Sequence, residues 1–164
     1  KADPTKIILM GHSAGGHLVS LVNADTNIRR SHQLLPILGT ISLDAAATNV
    51  VTQMPKTFSF LKTIYAEAFG TTEDQWINAS PYHRLSSDAA PWQGVCSTKR
   101  KDDPCGQAKE YAAKSISMGL RADVLPEDKS HGEINAELGT PGAYTNAVEQ
   151  FMASLDPVVA SLLK

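Results

Sequence analysis

Residues 11–15 read Gly-His-Ser-Ala-Gly, and nowhere else in the chain do residue types and spacing point so directly to chemistry. The apolar run Ile7-Ile8-Leu9-Met10 precedes them and Gly16-His17-Leu18-Val19 follows. A strand, a sharp turn and a helix in that order would project the Ser13 hydroxyl at a helix N-terminus. The turn imposes strained backbone angles at Ser13, and side chains at positions 11 and 15 are expected to collide across it, which would explain both glycines. Serine is a weak nucleophile alone and needs a base beside it. The backbone N–H of Ala14, at the helix start, is placed to donate to an oxyanion formed when Ser13 attacks a carbonyl. The expected chemistry is acyl transfer through Ser13.

The base and its orienting acid must come from elsewhere. His131 lies in the polar turn Asp128-Lys129-Ser130-His131-Gly132, just past an apolar run, and is the candidate base. His12 and His17 flank the serine and are expected to pack or hydrogen-bond around it. His32 sits beside Arg29-Arg30 in a polar stretch and His83 follows a Ser-Pro break. For the acid, the loop Ser97-Thr98-Lys99-Arg100-Lys101-Asp102-Asp103-Pro104-Cys105 offers Asp103 first and Asp102 as the alternative. Either residue would also serve as an ordinary turn former ahead of Pro104. Asp44, after another apolar run, is an outside candidate for the same task, or a strand-end turn former.

Four short apolar segments, Lys6 to Met10, Leu35 to Leu43, Pro91 to Ser97 and Arg121 to Leu125, read as strands. Helical patterns separate or follow them at Ala14 to about Val22, Gln107 to Ile116 and Ile134 to Leu138. A last helix follows Thr140-Pro141 with Val148, Phe151, Met152 and Leu155 on one stripe. Strands alternating with helices predict an α/β fold, a parallel sheet flanked by helices, with its site at the carboxyl ends of the strands. Segment 48–82 differs. Phe58 and Phe60 lie in it, then Leu61, Ile64, Tyr65, Ala68 and Phe69 at helical spacing; Gly70 ends that helix and Thr72 starts another that carries Trp76, which predicts a cap over the site.

The chain has 164 residues and a net charge of −2. That length suits one domain with a sizeable core. No basic stripe or acidic tail points to nucleic acid, and no apolar run approaches the ~18 residues of a membrane span. Cys96 and Cys105 are too few for a disulfide framework and lack metal-ligand spacing; free thiols are favoured over a single bridge. No compartment is indicated.

The sequence resembles the C-terminal portion of an α/β-hydrolase of the carboxylesterase and arylformamidase-like branch. The resemblance rests on Asp3-Pro4, on Gly-His-Ser-Ala-Gly-Gly-His-Leu at 11–18, on Ala-Phe-Gly at 68–70, and on Trp76, Ala79-Ser80-Pro81 and Ser130-His131. It implies that residues 1–164 form one catalytic domain lacking the fold's N-terminal strands, with the triad in the chain order Ser13, Asp103 (alternatively Asp102), His131. It further implies a small ester substrate, no metal and no organic cofactor. The second oxyanion donor usually comes from a His-Gly-Gly-type loop that is absent here, so a complementing N-terminal segment is expected, and the chain alone is expected to be poorly active. Arylformamide hydrolysis by the same triad and a non-catalytic binding domain of this fold are the alternatives.

Overall fold

The computed structural model describes residues 3–163 and, for Phe60, the backbone only. Four strands, β1 (Ile8–His12), β2 (Gly39–Leu43), β3 (Trp92–Ser97) and β4 (Ala122–Glu127), form one parallel sheet in chain order. The register pairs His12 with Leu43, Leu43 with Val95 and Ser97 with Glu127, so all four carboxyl ends reach one edge.

Parallel strands need crossovers, and those crossovers cover both faces. The helices are α1 (Ala14–Ala24), α2 (Thr26–Ser31), α3 (Val50–Gln53), α4 (Lys62–Phe69), α5 (Glu73–Ala79), α6 (Pro81–Arg84), α7 (Pro104–Ser117), α8 (His131–Ala136), α9 (Ala143–Ala153) and α10 (Pro157–Leu162), with 3-10 turns at Met54–Lys56 and Ser59–Leu61. Side chains alternate along β3 with the period of two that a strand imposes. Trp92 and Cys96 face Ala24 of α1 and Ala108, Tyr111 and Ala112 of α7. Val95 faces the other way, with Ile41 and Leu43, into Ile134 of α8 and Tyr144, Val148 and Phe151 of α9. The sheet is thus the middle of three layers, with one apolar cluster on each side.

Several boundaries differ from the sequence expectation. The second strand starts at Gly39 rather than Leu35, because the stretch before it lies at the surface, with Leu34 and Leu35 exposed. Helix α2, expected as a polar loop, is started by Asp25, whose carboxylate accepts from the Asn27 N–H. Helix α10 was not anticipated; Asp156 caps it, and Pro157 occupies its first position. The free-thiol expectation is also corrected: Cys96 and Cys105 form a disulfide. Their spacing of nine residues carries no sign of pairing, because contact depends on the start of α7 docking against β3.

The turn after β1 is held by close backbone approach. A Cβ built at Gly11 would lie 2.3 Å from the Gly15 carbonyl oxygen, and one at Gly16 would lie 3.0 Å from both the Ala45 Cβ and the Ser42 Oγ. At Gly15 an added Cβ meets nothing within 4 Å, so the collision expected there is absent and the crowded positions are 11 and 16. Gly11→Ala is expected to lower stability by about 3 kcal/mol, the upper range for overpacking, because the obstacle is backbone and cannot rotate away. Gly15→Ala, inside α1, should be neutral or stabilising by up to about 1 kcal/mol. Urea unfolding of the two variants checks this contrast.

Candidate active site

Ser13 links β1 to α1 with φ 57° and ψ −121°, a left-handed conformation that a non-glycine residue adopts only under constraint. The constraint is visible: the Ser13 N–H donates to the Leu43 carbonyl at 2.9 Å, and the Ser13 carbonyl accepts from the His17 N–H at 3.1 Å as α1 begins. The hydroxyl is thereby held at the carboxyl edge of the sheet. The Ala14 N–H, the first of the helix, lies next to it.

His131 is the first residue of α8. Ser130 caps that helix and Glu133 reciprocates onto the Ser130 N–H, so the histidine backbone is fixed by its neighbours. The Ser97 hydroxyl donates to the Lys129 carbonyl at 2.6 Å and ties the preceding turn to β3. The imidazole Nε2 lies 3.0 Å from the Ser13 Oγ. Its Nδ1 lies 2.6 Å from an Asp44 carboxylate oxygen. A carboxylate only accepts, so the short contact assigns the proton to Nδ1 and leaves the Nε2 lone pair to accept from the serine hydroxyl.

Asp44 follows β2 with a positive φ of 48° and is fully buried. Its N–H donates to the Val95 carbonyl at 2.8 Å, and one carboxylate oxygen accepts from the Ser97 N–H at 2.8 Å. The other oxygen accepts from His131 and, at 2.9 Å, from Arg100 Nη1. Burial alone would raise the Asp44 pKa. The hydrogen bonds from Arg100, Ser97 and His131, with the Arg100 charge, outweigh that and hold it below the usual carboxylate range.

The expectation that Asp103, or else Asp102, meets His131 is corrected by this geometry. Asp103 is exposed, adopts φ 52° and caps α7, accepting from the Gly106 N–H at 2.9 Å. Asp102 pairs with Arg100 through Nε at 2.9 Å and through Nη2. The signal for Asp103 as a cap was present in the sequence, since Asp-Pro is a common helix start. Arg100 was not singled out, because one arginine between two lysines looks like any solvated basic loop.

The other histidines fall where their neighbours place them. The His12 Nε2 donates to the His131 carbonyl at 2.9 Å, and the two rings are 4.3 Å apart. His17 is buried against Phe69, and that burial lowers its pKa below the ordinary imidazole value. His32 and His83 are exposed on other parts of the surface. Among the described residues no cluster of His, Cys, Asp or Glu could hold a metal ion, and no helix is long and apolar enough to cross a membrane.

A cavity of about 480 Å³ opens at Ser13 and Ala14 and runs between α1 and α4. Its walls include Leu18, Leu21, Ile64 and Ala68, with Tyr65 and Phe69 meeting edge to face. Of the aromatic residues expected in segment 48–82, Tyr65 and Phe69 line the cavity; Trp76 instead donates to the Gly70 carbonyl at 2.9 Å, which fastens α5 to the end of α4.

No protein-family model and no curated protein sequence matches the chain. Solved structures do resemble it. A thermophilic esterase of the planctomycete Thermogutta terrifontis superposes with a TM-score of 0.68 at 22% identity, over 94% of this chain and 56% of its own. An esterase/lipase from an uncultured bacterium gives a TM-score of 0.68 at 18% identity, over 93% and 54%. The acylaminoacyl peptidase of Pyrococcus horikoshii gives a TM-score of 0.66 at 16% identity, over 92% and 24%. The chain therefore spans about half the length of these esterases and about a quarter of the peptidase. Likeness at such identities is a likeness of fold, and the parallel sheet flanked by helices is the α/β-hydrolase fold.

Proposed function

We propose that this chain carries the nucleophile, base and acid of a serine hydrolase that cleaves carboxylic esters. The observation that carries the reading is the continuous hydrogen-bonded chain from Ser13 Oγ to His131 Nε2 and from His131 Nδ1 to buried Asp44. Ser13 attacks the ester carbonyl while His131 takes its proton. Asp44 keeps the imidazole in the tautomer able to do so and stabilises the imidazolium. The Ala14 N–H donates to the oxyanion, and the second donor comes from the complementing N-terminal segment. His131 then protonates the departing alkoxide, and water releases the acyl group by the same steps reversed.

The cavity beside Ser13 supports a small substrate with an apolar acyl or aryl group, since its walls are mainly Leu, Ile, Ala and aromatic side chains. Segment 48–82 acts as a cap in this reading, because α4 supplies one wall of that cavity. The similarity in fold to enzymes described as esterases agrees with it.

The test is covalent labelling with a fluorophosphonate, read by mass spectrometry, on the chain alone and with an upstream segment restored. A single adduct on Ser13 is expected. No adduct on folded protein in either form would show that the serine is not activated, and a binding role would replace the hydrolase. Turnover of a matched ester and formamide then separates ester from amide hydrolysis; faster formamide cleavage would transfer the proposal to amides.

A further inference from the structure

Arg100 reaches into the site from the loop between β3 and α7, yet it is neither nucleophile, base nor acid. Its Nη1 donates to Asp44 twice, to the backbone carbonyl and to a carboxylate oxygen, both at 2.9 Å. One nitrogen thereby grips the main chain and the side chain of the same residue, which fixes the carboxylate relative to its own backbone. On the far side, Nε and Nη2 are both held by the Asp102 carboxylate. A planar guanidinium suits this task, because its N–H groups leave in fixed directions and can serve two carboxylates at once. The loop that carries it is closed by the Cys96–Cys105 disulfide, and the Gln107 side chain donates to the Asp102 carbonyl at 3.0 Å.

We propose that Arg100 is a positioning residue for Asp44, held in place by Asp102. The inference rests on the serine hydrolase reading above. The same Nη1 lies 3.1 Å from His131 Nδ1. With the Nδ1 proton directed at Asp44, that nitrogen has no lone pair to accept from Arg100, so toward the imidazole Arg100 presents charge rather than a hydrogen bond. The groups facing His131 are Asp44, Arg100, His12 and Ser13. Those facing Arg100 also include Asp102 and Tyr65. Arg100 is the one fixed cation in that set. It locks the carboxylate that orients the imidazole, so its removal should act on the chemical step rather than on substrate binding. A looser Asp44 misplaces the imidazole, which lowers kcat with little change in KM.

The experiment measures kcat and KM of ester hydrolysis for Arg100→Met, Arg100→Lys and Asp102→Asn beside wild type, with thermal melting and fluorophosphonate labelling of each. Arg100→Met is expected to lose about 10²-fold in kcat, the scale of a misplaced catalytic group, with KM little changed. Arg100→Lys keeps a donor and the charge but not the fork, so it should restore only part of kcat. Asp102→Asn should lose less than Arg100→Met. If Arg100→Met does not fold, the other two variants decide. A folded Arg100→Met with wild-type kcat would overturn the inference while Ser13 labelling kept the hydrolase reading intact. A loss that follows the fall in melting temperature, with no rescue of kcat by Arg100→Lys, would reduce Arg100 to a structural residue and overturn it equally. Failure of wild type to label at Ser13 would remove both.

Discussion

Ser13→Ala is expected to lower hydrolysis of a p-nitrophenyl ester by about 10⁶-fold, the scale of removing a serine nucleophile from an assembled triad. The substitution is a clean chemical deletion. The Ser13 N–H to Leu43 and the Ser13 carbonyl to His17 are backbone contacts that alanine retains, and the positive φ is already borne by a residue with a Cβ. Melting temperature should therefore change little while covalent labelling disappears. Retained turnover in a folded Ser13→Ala protein would show that another group attacks the carbonyl.

Asp44→Asn is the second large effect, about 10⁴-fold in kcat. An amide can occupy the same space and still meet His131 Nδ1, but its nitrogen donates where the carboxylate accepted. The imidazole would then carry its proton on Nε2, the atom facing Ser13, and could not take the serine proton. The matching control is Asp103→Asn. That residue only caps α7, so turnover should hold near wild type and stability should fall by no more than about 1 kcal/mol. Loss of turnover in the Asp103 variant, with Asp44→Asn active, would reverse the assignment. The Asp44 pair also contributes to acid stability. A carboxyl held below its unfolded pKa contributes stabilisation in full above the unfolded value and loses it as pH falls through the folded one. Acid unfolding of wild type should therefore be steeper than that of Asp44→Asn across the range below the usual carboxylate pKa.

Much of this site is local, and local features can be read from residues alone. Gly11 and Gly16 border a turn whose shape is set within a few residues, so the strand, the strained serine and the helix follow from one short stretch. The placement of His131 past the fourth strand is nearly as local, because parallel strands in register bring their carboxyl ends to one edge whatever the loops do. Alternation along β3 likewise fixes which side chains enter which apolar cluster.

The carboxylate facing the imidazole was a different kind of question. Asp44, Asp102 and Asp103 all follow strand ends, and the sequence reading ranked Asp103 first, Asp102 second and Asp44 as an outside candidate. The choice depended on contacts between distant segments. Arg100 folds inward and takes Asp102, Asp103 turns to cap α7, and Asp44 is buried under the loop with His131 within reach. The disulfide was decided in the same way, by α7 docking on β3. The sequence by itself determined the serine turn, the histidine that faces it and the layered parallel sheet, because each depends on neighbours in the chain or on strand period. Only the tertiary structure decided which carboxylate faces the imidazole and which cation holds it. Those pairings are set by a few hydrogen bonds between loops that no periodicity connects.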